Sequence, residues 1–195
     1  ADYRCISMSG IGMMVSWYDL IMPQLYDQLI PWSEFPKWDF SQWQADIVVI
    51  NLFQNDTWLV NLSEHEEFKK RFGNEAPDDE FIINAYQQFV ADIRKEYPNA
   101  NIICSLGSMD AAKKGSKWME YINLAVANLN DKKVFTHFMP YIEATAHPSI
   151  KDHQIMANSL IEFIEEKERT MAAIEFSGWA NDEKIEFLEK FSPKM

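Results

Sequence analysis

The stretch Asp46-Ile47-Val48-Val49-Ile50-Asn51-Leu52-Phe53-Gln54-Asn55-Asp56 decides how the rest of the chain is read. Its first seven residues form a short apolar run, rich in β-branched side chains and not alternating with polar ones. Such a run suits a strand covered on both faces. It breaks at once into polar residues, as a strand does where it emerges at a sheet edge. Working outward, three more runs share its form: Tyr3–Met8, Asn101–Leu106 (NIICSL) and Lys133–Phe138 (KVFTHF). Between them lie helical spacings. Ser16–Leu29 repeats Trp17, Leu20, Ile21, Leu25 and Leu29, with Pro23 as a kink. Asp78–Tyr97 puts Phe81, Ile82, Ala85, Phe89 and Ile93 on one stripe, with Asp78 and Asp79 suited to a helix N-terminus. Trp118–Leu129 and Ile150–Glu166 follow the same period.

Strands alternating with helices imply parallel pairing through right-handed crossovers. The predicted fold is α/β, a doubly wound three-layer sandwich with a mostly parallel sheet and ligands at the carboxyl ends of the strands. Residues 1–168 are predicted as that domain. Residues 169–195 are predicted as a C-terminal appendage ending in a short helix, Asp182–Phe191. Long connections over 30–45 and 53–77 are of a length more often functional than idle.

Composition narrows the function. Lys plus Arg number 18 against 30 Asp plus Glu, a net charge of −12. This disfavours a nucleic-acid backbone and an anionic membrane surface, both of which need clustered cations. No run approaches the length of a membrane span. Cys5 and Cys104 cannot build a disulfide framework, and the spacing of His65, His137, His147 and His153 is not that of a zinc site. The opening Ala1-Asp2-Tyr3-Arg4 lacks the basic and apolar regions of a leader and reads as the start of a strand.

The presumed strand ends carry the chemistry. The first leads into Ser7-Met8-Ser9-Gly10-Ile11-Gly12, the second into Gln54-Asn55-Asp56, the third into Gly107-Ser108-Met109-Asp110. His147-Pro148-Ser149 opens the last main helix. Each piece also has a plainer reading. Gly10 and Gly12 suit a tight turn, Asn55 and Asp56 a turn or cap, and His147 an exposed loop. Ser149 and Asp152 fit a capping box. His65 and His153 read as solvated, His137 as packed. Trp17 and Trp118 read as core. Trp32, Trp38, Trp43 and Trp58 suit either stacking on a sugar ring or covering a bare sheet edge.

Taken in order, these pieces resemble the SGNH, or GDSL-type, hydrolases, and among them the acetyl esterases of carbohydrate esterase family two. ADYRCISMSGIG resembles the second conserved block, DIVVINLFQND the third, and AHPSIKDHQIMA the fifth; the likeness spans residues 1–166. It implies a serine ester hydrolase that removes O-acyl groups, foremost O-acetyl, from a carbohydrate or other small ester, without a cofactor. It further implies Gly10 and Asn55 as the oxyanion hole, His147 as the general base, and export to the periplasm or medium. Imidazole titrates around neutral pH, which suits the base. A main-chain donor and a side-chain amide from different strand ends can converge on one oxyanion.

Three departures qualify the resemblance. Phe53 stands where the third block has glycine and is expected to crowd or redirect its loop. Ala144 and Thr145 stand where the acidic partner of the histidine is expected, with Glu143 the nearest carboxylate. The family also includes Ser-His dyads, so activity survives that loss. The first block, Gly-Asp-Ser, is missing, and with it the nucleophile. Three explanations stand. The serine lies on a segment preceding these residues, whose strand would be central in the family's order 2-1-3-4-5. Alternatively Met171–Gly178 is a strand and turn that fills the gap and offers Ser177, although the favoured reading of 168–178 is that it merely continues or follows the preceding helix. In the third, Ser9 is the nucleophile. From another class altogether comes a non-catalytic glycan-binding homologue or an inactive fragment.

Overall fold

A computed structural model describes residues 2–33, 36–143 and 147–178, the side chains through residue 170. It is a mixed α/β fold on a parallel sheet. β1 (Ile47–Asn51), β2 (Asn101–Leu106) and β3 (Val134–Phe138) lie in the order β1-β2-β3. Val49 pairs with Ile103, and Cys104 with Thr136. The central strand is buried from Ile102 to Leu106, which is why its apolar run is unbroken by polar residues.

Six helices accompany the sheet among the described residues: α1 (Met22–Leu25), α2 (Gln54–Leu59), α3 (Glu66–Phe72), α4 (Asp79–Glu96), α5 (Trp118–Leu129) and α6 (Ile150–Gly178). The crossover helices match their sequence signals. At α4 the Asp78 carboxylate accepts the Phe81 N–H at 2.7 Å, while Ile82, Tyr86, Phe89, Val90 and Ile93 are buried. α5 has the predicted bounds, ends on left-handed Asn130, and packs against α4. Ser149 and Asp152 form the expected box at α6: Asp152 Oδ2 accepts the Ser149 N–H at 2.8 Å, and Ser149 Oγ accepts the Asp152 N–H at 3.3 Å.

Three expectations need correction. Tyr3–Met8 is not a strand: it has no ladder partner among the described residues, and residues 2–7 are exposed. A strand forms only where a neighbour takes up its backbone groups. Here a cavity of about 350 Å³ separates Tyr3, Arg4 and Ile6 from Val48, Val49 and Ile50. Among the described residues β1 pairs with β2 alone, so its outer edge is open to them, and Val49 is 40 % exposed. The second correction is Ser16–Leu29, where only Met22–Leu25 is helical and Pro23 sits in the first turn. Pro lacks the N–H a helix interior needs, so it is tolerated only at such a start. Third, the connection over 53–77 contains α2 and α3.

For the tail, the plainer of the two readings holds: Met171–Gly178 continues α6 and the strand-and-turn alternative does not form, so Ser177 lies in the last turn of a helix. Residues 1–156 form one compact unit and the remainder of α6 belongs to a second. The expected helix Asp182–Phe191 lies outside the described residues.

Candidate functional site

The site is built around the first turn of α2, where Gln54, Asn55 and Asp56 each reach a different neighbour. Phe53 opens that turn in the left-handed region, φ 80°. This is the conformation glycine adopts freely and a bulky residue does not. Its ring is fully buried, 4.9 Å from the ring of Tyr86 and 4.8 Å from that of Trp118. Burial of an aromatic ring offsets the strain of the backbone. With Phe53 in the left-handed turn, the Asn55 side chain meets the segment after Met8.

That segment is tightly folded. The Ile11 N–H donates to the Met8 carbonyl at 3.2 Å, closing a turn in which Gly10 takes φ 80°. Gly12 is required for another reason: a Cβ there would lie 1.9 Å from the Val15 carbonyl oxygen. Met13, Met14 and Val15 then dive into the core. Asp56, itself fully buried, receives their amides, with Oδ2 accepting from Met13 at 2.9 Å and Oδ1 from Met14 at 2.7 Å and Val15 at 3.2 Å. Burial raises the Asp56 pKa above the ordinary carboxylate range, opposed by these three N–H bonds.

A stability prediction follows from Asp56. Asp56→Ala leaves three buried N–H groups without acceptors, at a cost of about 3 kcal/mol. A raised folded pKa means that the carboxyl's contribution is fully present below its unfolded value and declines as pH climbs through the folded one. The destabilisation should therefore be largest near about pH 4 and narrow toward neutrality, as read by urea melts across pH. A gap that widens toward neutral pH would show that the amides outweigh burial.

Asn55 joins the Gly10 turn to its surroundings. Its Nδ2 donates to the Ile11 carbonyl at 2.7 Å, and its Oδ1 accepts the Trp17 indole N–H at 3.1 Å. The Trp17 backbone N–H in turn donates to the Gly10 carbonyl at 3.1 Å. The Gly10 N–H has no acceptor among the described residues. Gly10 and Asn55, predicted from separate strand ends, are thus brought into one hydrogen-bonded cluster. Ser9 is exposed beside them, its carbonyl accepting the Tyr18 hydroxyl at 2.9 Å.

Gln54 carries the cluster to the end of β2: its Nε2 donates to the Gly107 carbonyl at 3.3 Å, and its Oε1 accepts the Ala111 N–H at 3.4 Å. The indole of Trp58 donates to Asp110 at 3.0 Å. On the β3 side, the Ile142 N–H donates to the Ser108 carbonyl at 2.9 Å, keeping the following segment at the same sheet edge. His147 is exposed ahead of α6 and makes no hydrogen bond, ion pair or ring contact among the described residues. Ala144 and Thr145 lie outside them.

Several aromatic and imidazole assignments change. Trp17 is not core but 45 % exposed, since the helix that would have buried it does not form. His65 is not simply solvated: its Nδ1 accepts the Glu67 N–H at 3.2 Å, capping α3, and its ring meets Trp17 edge-on at 5.3 Å. His137 is half-buried in β3, its pKa lowered by burial, as a packed histidine should be. The four loop tryptophans do not share one contact. Trp38 and Trp43 flank the Arg4 guanidinium, at 4.6 and 5.1 Å, beside the cavity along β1. Trp32 bonds Asp19 at 2.7 Å and is 57 % exposed. Sequence reading missed Asp56, Gln54 and Trp17. Only the run Gly12–Ser16, apolar yet too short to satisfy its own amides, hinted that a buried acceptor was needed.

No protein-family model matches the chain. Individual proteins do. It is 28% identical over 179 residues to the cellulase/esterase CelE of Acetivibrio thermocellus, covering 86% of this chain and 20% of that protein. It is 25% identical over 168 residues to an acetylxylan esterase/glucomannan deacetylase of Cellvibrio japonicus, covering 82% and 43%. The chain spans less than half the length of these curated relatives. Among solved structures, a family two carbohydrate esterase from Clostridium thermocellum, in complex with cellohexaose, superposes with a TM-score of 0.62 at 28% identity, over 81% of this chain and 47% of that one. A family two carbohydrate esterase from Cellvibrio japonicus shares the fold, with a TM-score of 0.65 at 24% identity over 80% and 45%. The chain's homologues and structural neighbours are therefore family two carbohydrate esterases of the SGNH type.

Proposed function

Starting from homologues that are family two carbohydrate esterases, we propose that this chain is the greater part of the catalytic domain of a serine esterase that removes O-acetyl groups from a carbohydrate. The observation that carries the reading is the Asn55 amide held against the Gly10 turn at the carboxyl edge of the sheet. In the reaction, a serine oxygen attacks the acetyl carbonyl and its proton passes to His147. The Gly10 N–H and Asn55 Nδ2 stabilise the oxyanion, and the sugar hydroxyl departs with the proton from His147. Water then attacks the acetyl-enzyme by the reverse sequence, releasing acetate. No cofactor takes part.

The serine is assigned to a further strand seated along the open edge of β1. The cavity there has the apolar β1 side chains on one wall and Tyr3, Arg4 and Ile6 on the other. A strand in this place would pair both neighbours and end at the same sheet edge as Asn55. It would also supply the partner whose lack leaves Tyr3–Met8 unpaired. A second reading, glycan binding without turnover, draws on the exposed Trp32.

A fluorophosphonate probe with mass spectrometry tests the assignment. The 195-residue chain alone should take no adduct, since a serine hydroxyl without an aligned base stays unreactive. The full-length protein should be labelled on one serine of the added strand and release acetate from acetylated xylan. An adduct on Ser9 or on Ser177 would overturn the placement of the nucleophile, and a full-length protein that binds xylan without releasing acetate would leave the binding reading.

A further inference from the structure

We infer that Trp17 is a positioning residue for the oxyanion hole, its indole N–H fixing which way the Asn55 amide faces. The inference rests on reading Asn55 as an oxyanion donor. A primary amide has two nearly isosteric orientations, and only its hydrogen-bond partners decide between them. Here both partners are unambiguous. The indole nitrogen of Trp17 can only donate, so at 3.1 Å it must face Oδ1. The Ile11 carbonyl can only accept, so at 2.7 Å it must face Nδ2. A flipped amide would lose both bonds and set donor against donor and acceptor against acceptor. One Nδ2 hydrogen is committed to Ile11, and the other remains for an oxyanion.

Trp17 is itself held at both ends. Its backbone N–H bonds the Gly10 carbonyl at 3.1 Å, so one residue sets the turn that presents the main-chain donor and the amide that presents the side-chain donor. Its ring is braced edge-on by His65, 5.3 Å away at 86°. Packing does not explain the residue, because 45 % of it stays exposed. What it contributes is direction, the property that makes a preorganised donor effective in a transition state.

Trp17→Phe keeps an aromatic ring on the same stem and removes the indole N–H together with the rest of the five-membered ring. In the full-length protein, kcat for an acetyl ester should fall by about tenfold with KM within about twofold, the loss expected of a misdirected donor. In an Asn55→Ala background the same change should cost nothing further, because the amide it directs is gone. In the full-length protein, the Trp17 indole N–H resonance should shift and exchange faster with solvent in Asn55→Ala. A parental kcat in Trp17→Phe beside a crippled Asn55→Ala overturns the inference and leaves the esterase reading in place. An unmoved indole resonance overturns it too, whatever Trp17→Phe does to folding. Full activity in Asn55→Ala overturns both the inference and the oxyanion-hole reading beneath it.

Discussion

His147→Ala in the full-length protein is expected to lower kcat on an acetyl ester by about 10⁴-fold or more while leaving the melting temperature unchanged. Two features separate these effects. His147 is exposed and without contacts among the described residues, so its removal takes nothing from the fold. It stands just ahead of α6, whose start is fixed by the reciprocal Ser149–Asp152 bonds rather than by the imidazole. In the proposed mechanism it is the group that takes the serine proton and returns it to the departing sugar oxygen, so both half-reactions would fail together. Initial rates on 4-nitrophenyl acetate and acetate release from acetylated xylan should agree. Turnover within a few-fold of the parent would remove His147 as the base and direct attention to His65, whose ring already touches Trp17.

Asn55→Ala should lower kcat by about 100- to 1,000-fold, the usual consequence of losing one oxyanion donor. KM should change little, because the donor's bond strengthens only as the carbonyl oxygen gains charge. Some loss of stability accompanies it, since the Ile11 carbonyl and the Trp17 indole each lose a partner. That loss is read separately by urea denaturation and does not enter kcat for the folded fraction. An unchanged kcat with a raised KM would make Asn55 a substrate-binding residue rather than a catalytic one.

The sheet was legible in the sequence where strands had partners. The runs at 47–51, 101–106 and 134–138 are apolar because neighbouring strands and helices cover them, and periodicity records that cover. Tyr3–Met8 carries the same pattern and fails, because composition states a preference for pairing and cannot state whether a neighbour is present. Ser16–Leu29 shows the converse failure. Its helical spacing is real, but the Met22 N–H is taken by the Gly12 carbonyl at 2.9 Å, and the segment is folded around the Gly10 turn instead. At the site, Gly10 and Asn55 were legible as candidates because short motifs single them out, Asn55 just beyond β1 and Gly10 in a turn after a run that forms no strand. Trp17 and Asp56 were not, because each acts through a partner about 40 residues distant, 38 from Trp17 to Asn55 and 41 to 43 from Asp56 to its amides.

Phe53 has a bearing on motion as well as on shape. A glycine at the head of α2 would let that turn pivot independently of the interior. A phenylalanine locked between Tyr86 of α4 and Trp118 of α5 makes the same turn a member of the core. Local opening of the Asn55 turn then requires two crossover helices to part, so its amides should exchange with solvent on the timescale of sub-global unfolding rather than of loop fraying. The amide proposed as an oxyanion donor is thereby tied, through Phe53, to two core rings rather than to a free loop.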